Sequence, residues 1–192
     1  NKLVRKVNIK EDLTLVGLLK DCAKHKDFHK GIALHDALFH SGLLEKNSYV
    51  SNTLIHMYVK CGMLAKAQDM HDNLLAHNLF TWNVLTSGYV QIGKGWEALM
   101  FFELIQIEGL SPDVVTFTCM IKACVSIGDI DKGIELHKEI ILKGLLEKDI
   151  LLGNSLVDMY AKSFMFAEAQ QVLDELPNRD VCSWTSLISG YA

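Results

Sequence analysis

The sequence has few residues that interrupt or cross-link a polypeptide. Only two prolines, Pro112 and Pro177, occur among its 192 residues, so long stretches are free to form uninterrupted helices. Its five cysteines are odd in number and show no CxxC spacing, which argues against a disulfide framework and a cysteine zinc site and favours a reducing compartment. No run approaches the roughly 18 apolar residues of a membrane-spanning helix, so we expect no association with a membrane.

The sequence also lacks an excess of basic residues. Its formal net charge is −4, whereas proteins that contact nucleic-acid phosphates usually carry a positive surface. Any nucleic-acid hypothesis must therefore locate positive charge on part of the surface. The start of the chain has no cleavable signal pattern, and both ends fall inside the repeats described next, so we expect a longer protein whose targeting segment lies outside this sequence.

What the sequence does contain is a duplication. Residues 12–90 align without a gap to residues 114–192 and share 30 identities in 79 positions. The offset is 102 residues, and the run GLLEK at 42–46 recurs at 144–148. Self-similarity at a fixed period is the signature of a repeat architecture.

Each copy divides into units of two helices. Apolar residues recur three to four positions apart in segments such as 65–70 and 96–102, which is helical spacing, and no strand pattern is present. Gly62, Gly93 and Gly128 fall between the two helices of their units, where glycine easily adopts a left-handed helix end. The pattern predicts helical hairpins at 12–47, 48–78, 79–113, 114–149 and 150–180, followed by part of a sixth at 181–192.

A hairpin of this size cannot cover its own apolar face. Neighbouring hairpins must therefore stack, which predicts an all-α solenoid of helix-turn-helix repeats with one concave surface. The residues themselves leave the hand of the superhelix open.

The hairpins resemble the pentatricopeptide repeat (PPR) family. The resemblance rests on unit lengths near 35 residues, on openings such as TWNVL at 81–85 and SWTSLISGYA at 183–192, and on endings such as SPD at 111–113 and NRD at 178–180. The order of 36-, 31- and 35-residue units is similar to the long, short and standard motif triplet of the plant-type subclass. The resemblance implies a right-handed α-solenoid that binds single-stranded RNA in mitochondria or chloroplasts.

The family's one-base-per-repeat logic uses mainly the fifth and the last residue of each motif. The resemblance implies that Asn83/Asp113 and Asn154/Asp180 read uridine, and that Asn52/Asn78 reads a pyrimidine with a preference for cytidine. Two further pairs follow the same spacing, and Thr185 occupies the fifth position of the partial motif. These pairs are Thr118/Asp149, which resembles a guanosine reader but lies in a long motif, and Val16/Asn47, in which Val16 offers no hydrogen bond.

The residue types support a similar interpretation without the family. An asparagine in the first turn of a helix projects an amide that can donate and accept at a base edge, and an adjacent carboxylate can orient that amide. Uncharged second residues of the motifs can stack on base faces, and lysines at the thirteenth position can meet phosphates. The stacking candidates are Tyr49, Phe80, Val115 and Leu151, and the phosphate candidates are Lys24, Lys60 and Lys162.

Several of these residues also have a purely structural interpretation. Aspartate is a preferred N-cap residue, so capping explains Asp113, Asp149 and Asp180 as well as base recognition does. Trp82 and Trp184 match across the offset, and such tryptophans are more typical of a packed core than of a base platform. Lone lysines are usually only solvated.

Metal binding and catalysis have little support in the sequence. Eight histidines are present, but no HExxH motif or cysteine cluster supplies convergent zinc ligands. His35 and His137 match across the offset, which favours an interhelical role. No nucleophile is paired with a base, and the Pro-Cys-x-x-Cys pair of a zinc deaminase is absent. We therefore predict no metal, no cofactor and no enzymatic activity.

Two functions of different classes remain. The repeated asparagine and aspartate pairs favour a modular reader of single-stranded RNA, about one base per repeat, acting in organellar RNA processing or editing-site recognition. The acidic balance favours a protein-docking scaffold similar to tetratricopeptide arrays, and the PPR resemblance adds that protein cofactors can dock on long motifs. Because both ends stop without a polar capping helix, we also expect self-association through the open ends of the solenoid.

Overall fold

The computed structural model shows a helical chain. It describes the backbone of residues 2–147 and 149–191 and the side chains of residues 14–147 and 149–190. Within these ranges every regular element is an α-helix, and no helix is long and apolar enough to cross a bilayer. The helices in this part of the chain are α1 (Lys2–His25), α2 (Phe28–Ser41), α3 (Leu43–Lys46), α4 (Ser48–Lys60), α5 (Leu64–Asp72), α6 (Leu79–Gln91), α7 (Gly95–Ile107), α8 (Val114–Ile127), α9 (Ile130–Leu142), α10 (Ile150–Lys162), α11 (Phe166–Glu175) and α12 (Val181–Tyr191).

The chain forms two compact bodies, an N-terminal body (Asn1–Gly88) and a C-terminal body (Tyr89–Ala192). In the N-terminal body, α1 packs on α2 and α4, and α4 packs on α5. In the C-terminal body, α8 packs on α7, α9 and α10, and α10 packs on α11 and α12. Within each body, α1, α8 and α10 therefore each lie against the second helix of their own hairpin and against the first helix of the next hairpin.

The core of each body is shared between hairpins. In the C-terminal body, Phe117, Met120, Leu136, Leu156 and Leu173 come from four successive helices, and none is more than 2% exposed. Removing one such side chain costs about 2–5 kcal/mol. Neighbouring hairpins of the C-terminal body thus share one apolar core.

The two matched tryptophans have different surroundings. Trp82 is 3% exposed and packs edge-on against His71 and His77, so the core interpretation is confirmed there. Trp184 is 44% exposed, and the core interpretation is wrong for it. The position that matches His77 is Arg179, whose guanidinium binds the Leu173 and Asp174 carbonyl oxygens at the end of α11 and does not cover the indole.

Histidine and tyrosine join consecutive hairpins at one place in each body. His35 Nδ1 on α2 lies 2.6 Å from Tyr58 Oη on α4, and His137 Nδ1 on α9 lies 2.8 Å from Tyr160 Oη on α10. The interhelical role expected for the two histidines is confirmed. Burial raises the pKa of Tyr58 to about 12 and lowers the pKa of both histidines.

The turn between the two helices has the same backbone form in all five hairpins. Gly62, Gly93 and Gly128 have φ values of 76°, 76° and 73°, which confirms their predicted left-handed conformation. Lys26 and Phe164 occupy the matching places in the other two hairpins and have φ values of 55° and 61°. The turn therefore imposes a left-handed residue even where the sequence does not supply glycine.

Phe164→Gly should stabilise the protein. A side chain in the left-handed region costs about 1–2 kcal/mol, and the Phe164 ring is 79% exposed, so it contributes little packing. We expect the free energy of unfolding, measured with urea, to rise by about 1 kcal/mol. Phe164→Ala keeps the strain and should show no comparable gain. A loss of stability in Phe164→Gly would mean that the ring contact with Phe166 outweighs the backbone strain.

Three partly buried histidines should make stability fall in acid. Because the pKa of His35, His56 and His137 is lowered from 6.5 in the folded chain, the unfolded chain takes up protons first as the pH falls. The stability that the three neutral histidines contribute is fully present above pH 6.5. It is lost as the pH falls from 6.5 to their lower folded-state pKa. Urea midpoints at about pH 7.5 and about pH 5.5 measure it.

A matched variant isolates the histidine–tyrosine pairs. His35→Gln with His137→Gln keeps an acceptor for each tyrosine hydroxyl but does not titrate, so the drop between the two pH values should shrink. The exposed His29→Gln should leave the drop unchanged. An equal drop in the double variant and the parent would assign acid sensitivity to other groups.

Candidate nucleic-acid interface

The last residue of every predicted hairpin caps the helix that follows. In each case a side-chain oxygen accepts a hydrogen bond from a backbone N–H in the first turn, so the capping interpretation is confirmed. The bonds run from Tyr49 to Asn47 (3.1 Å), Thr81 to Asn78 (3.1 Å), Thr116 to Asp113 (2.9 Å), Leu151 to Asp149 (2.7 Å) and Ser183 to Asp180 (2.8 Å).

Two of these caps also contact the fifth residue of their own hairpin. Asn78 Nδ2 donates to Asn52 Oδ1 at 3.3 Å in the N-terminal body. Asn154 Nδ2 donates to Asp180 Oδ1 at 3.2 Å in the C-terminal body. The same side chain therefore caps one helix and positions the amide of another. This is possible because the fifth residue lies one turn inside the first helix of its hairpin and the cap lies at the start of the first helix of the following hairpin.

A serine that sequence reasoning missed completes the second pair. The Ser183 hydroxyl lies 2.5 Å from Asn154 Oδ1 and 2.9 Å from Asp180 Oδ1, and Ser183 is fully buried. A hydroxyl also stands at the third position of the hairpins that begin at 79 and 114, as Thr81 and Thr116. That recurrence, next to the fifth and last positions, was the signal in the sequence.

These contacts fix the charge and the orientation of the second pair. The backbone N–H of Ser183, followed by its hydroxyl and the Asn154 amide, holds the pKa of the Asp180 carboxyl below its ordinary value. The Ser183 N–H, the Ser183 hydroxyl and the Asn154 amide all bind Oδ1 of this carboxylate. These contacts stabilise Asp180 as an anion.

The fifth-position amides are only partly accessible. Asn83 and Asn154 are each 8% exposed, whereas Asn52 is half-buried. Asn83 lies in the N-terminal body and Asp113 lies in the C-terminal body. A base that approaches Asn154 would meet the tip of an oriented amide rather than a freely rotating side chain.

The remaining predicted positions are occupied differently. Thr118 and Thr185 donate their hydroxyls to the carbonyl oxygens of Val114 and Val181, both at the start of the same helix. Asp149 Oδ1 accepts from two backbone N–H groups of α10. Val16 is 4% exposed and belongs to the core. The structure therefore brings together the Asn52/Asn78 and Asn154/Asp180 pairs and records no hydrogen bond between Thr118 and Asp149.

The four stacking candidates are exposed beside the fifth residues. Each lies three positions before a fifth residue, so the two share one side of the helix. Their exposed fractions are 52% for Tyr49, 53% for Phe80, 53% for Val115 and 63% for Leu151. An apolar surface and a hydrogen-bonding group thus stand next to each other on successive first helices.

The lysine candidates differ in their partners. Lys24 and Lys60 are exposed, whereas Lys162 forms an ion pair with Asp158 at 2.8 Å. Lys20 was missed by sequence reasoning, and its ammonium donates to Tyr49 Oη at 2.9 Å. Burial, followed by the charges of Lys60 and Lys20, lowers the pKa of His56, which indicates that both lysines lie near this imidazole.

Metal-ligating side chains do not converge in the described part of the chain. No group of three or more histidine, cysteine, aspartate or glutamate side chains lies close enough there to hold a metal ion. The interface described above consists of amides, carboxylates, hydroxyls and exposed apolar groups.

Family models identify the repeats. A model described as PPR repeat matches residues 49–79, 115–145 and 154–181, and one described as PPR repeat family matches residues 77–126. These matches cover more than half of the sequence, and the chain belongs to the pentatricopeptide repeat family.

Curated relatives are longer proteins of the same kind. A putative pentatricopeptide repeat-containing protein of Arabidopsis thaliana is 33% identical over 180 residues, which cover 94% of this chain and 36% of that protein. Two other Arabidopsis relatives carry the words chloroplastic and mitochondrial in their names. They are 32% and 37% identical over 93% and 77% of this chain, and the chain spans 29% and 21% of their lengths.

Solved structures share the fold. The pentatricopeptide repeat protein PPR10 in complex with an 18-nucleotide RNA element has a TM-score of 0.73 and 21% identity over 91% of this chain and 26% of that chain. The PPR domain of Arabidopsis thaliana protein-only RNase P 1 in complex with tRNA has a TM-score of 0.69 and 15% identity over 94% of this chain and 98% of that chain. The all-α solenoid class predicted from the sequence is confirmed.

Proposed function

We propose that this chain is an RNA-reading segment of an organellar PPR protein with long, short and standard motifs. It binds single-stranded RNA at about one base per hairpin and contributes recognition rather than catalysis to RNA processing or editing-site selection. The observation that carries this proposal is the Asn154–Asp180–Ser183 arrangement, in which a helix cap orients an amide beside an exposed apolar residue. The RNA in the PPR10 structure and the organellar names of two relatives support it.

The Asn154/Asp180 pair suits uracil. The Asn154 carbonyl accepts from Ser183 and one of its N–H groups donates to Asp180, which leaves one amide donor beside the second carboxylate oxygen. Uracil presents a carbonyl acceptor next to its N3–H donor, so its edge complements a donor beside an acceptor. Cytosine has an unprotonated N3 that would face the carboxylate.

The Asn52/Asn78 pair suits cytosine. The Asn52 carbonyl accepts from Asn78, so both N–H groups of Asn52 are directed to other acceptors. Cytosine presents two adjacent acceptors, O2 and N3, whereas the N3–H of uracil would face a donor. The two pairs differ by one group at the last position, which is an amide in Asn52/Asn78 and a carboxylate in Asn154/Asp180.

Exchanging the amide and the carboxylate at the last position should exchange the base preference. Asp180→Asn keeps a capping oxygen and copies the Asn52/Asn78 pair, so preference at the matched base should move from uridine toward cytidine. Asn78→Asp should move the preference in the opposite direction. A correct hydrogen-bonded pair is worth about 1–3 kcal/mol of discrimination, or roughly tenfold or more in Kd.

Short single-stranded RNAs that differ at these two bases measure the change by fluorescence anisotropy. Asn73→Ala, which removes an exposed amide at the end of α5, should leave every Kd unchanged. Absence of RNA binding by the parent chain at moderate salt would contradict the proposed function. Binding that ignores both the base and the Asp180→Asn change would contradict the assignment of the readers.

A further inference from the structure

Helix α7 is apolar on two opposite sides. Its inner side contributes Ala98, Phe101, Phe102 and Ile105 to the core, each 9% exposed or less. Its outer side carries four further apolar residues at intervals of four, four and three, which is one face of a helix. This α7 stripe consists of Trp96 (63% exposed), Met100 (62%), Leu104 (39%) and Ile107 (79%).

The fold itself does not require the α7 stripe. Helix α9 is the second helix of the next hairpin, and its first residue, Ile130, matches Gly95 of α7. At the places of Trp96, Met100 and Leu104 it carries Asp131, Glu135 and Glu139. One hairpin therefore presents a charged outer face where the other presents an apolar one.

A stripe of this size is unfavourable in water. Four large apolar side chains along one helix expose on the order of a few hundred Å², the size at which a patch on a soluble protein usually marks an interaction site. Tryptophan is among the residues most enriched in binding hot spots. Covering the α7 stripe with another apolar surface therefore lowers the free energy of the system.

The charged residues around the stripe determine which kind of surface can cover it. Residues 93–108 contain one lysine and three glutamates, and Lys94 is already paired with Glu97 at 3.3 Å. Glu97 and Glu103 lie on opposite edges of the stripe by helical geometry. A second copy of α7 would oppose acidic edges with acidic edges, and an anionic membrane surface would be repelled in the same way.

We propose that the α7 stripe is the docking site for an amphipathic helix of another protein, with apolar residues three to four apart and lysine or arginine along its edges. Such a helix buries Trp96 and Met100 and places its cations beside Glu97 and Glu103. This site lies on the second helix of the 79–113 hairpin, whereas the base-reading candidates lie on first helices and their caps. The proposal does not depend on RNA binding.

Two synthetic helical peptides with the same leucine face test the proposal, one with lysine edges and one with glutamate edges. Each is labelled, and its binding to the full chain is measured by fluorescence anisotropy at moderate salt. We expect the lysine peptide to bind at least about tenfold more tightly than the glutamate peptide. Trp96→Asp with Met100→Glu, which copies the residues of α9, should weaken lysine-peptide binding by at least about tenfold.

Controls separate the stripe from general stickiness and from misfolding. Leu142→Glu removes an 86% exposed leucine on α9 and should change the Kd less than about twofold. Circular dichroism and the urea midpoint should match the parent because the replaced side chains are exposed. If the double variant is unstable, Ile107→Lys at the far end of the stripe provides the same readout.

Three outcomes would overturn the proposal. The first is lysine-peptide binding that survives both Trp96→Asp/Met100→Glu and Ile107→Lys. The second is sedimentation that shows a dimer of the parent and a monomer of the double variant, since a second copy would then cover the stripe. The third is flotation of the parent, but not of the double variant, with phosphatidylcholine vesicles.

Discussion

Each hairpin of this protein buries apolar side chains between its own two helices and against the neighbouring hairpin of the same body, and the placement of the capping residues follows from that packing. Because the first helices of consecutive hairpins must pack together, the start of one helix is held near the first turn of the preceding one. The residue that caps the new helix, such as Asp180, therefore stands beside the amide of the old helix, Asn154. Such a pair of a cap and an amide forms only where two hairpins have stacked.

The same constraint lets one side chain cap a helix and position the amide of another helix. The first turn of a helix has unpaired N–H groups that require an acceptor, and one carboxylate oxygen of Asp180 meets this need together with the Asn154 and Ser183 contacts. The second oxygen is then oriented by contacts that the fold requires in any case. Preorganisation of this kind reduces the entropy lost on binding a flexible strand.

Much of the fold was predictable because it rests on local and periodic signals. The 102-residue offset, the helical spacing and the turn glycines predicted stacked helical hairpins, and the shared positions of His35 and His137 predicted an interhelical role. What escaped prediction depends on three-dimensional context. Lys26 and Phe164 adopt the left-handed turn without glycine, because the stacking of the two helices dictates the turn whichever residue stands there.

The site was less predictable than the fold because its partners come from different hairpins. Ser183 opens the SWTSLISGYA segment, but its role depends on Asn154, which lies 29 residues earlier. Lys162 looked equivalent to Lys60, but Asp158 offsets its charge, whereas the matching residue beside Lys60 is His56. The net charge of the chain also could not show that Lys20 lies beside Tyr49, since it sums over all residues.

The copied element in this sequence is three hairpins, not one, and each copy contains a single histidine–tyrosine tie. An ancestral gene that grew by duplicating such a block would have gained three structural units in one event, with their internal joints already matched. Copying one hairpin at a time would have carried His137 or Tyr160 without its partner, because the two residues lie in consecutive hairpins. The smallest duplicated unit that carries an intact tie is therefore a pair of hairpins, which the three-hairpin block contains.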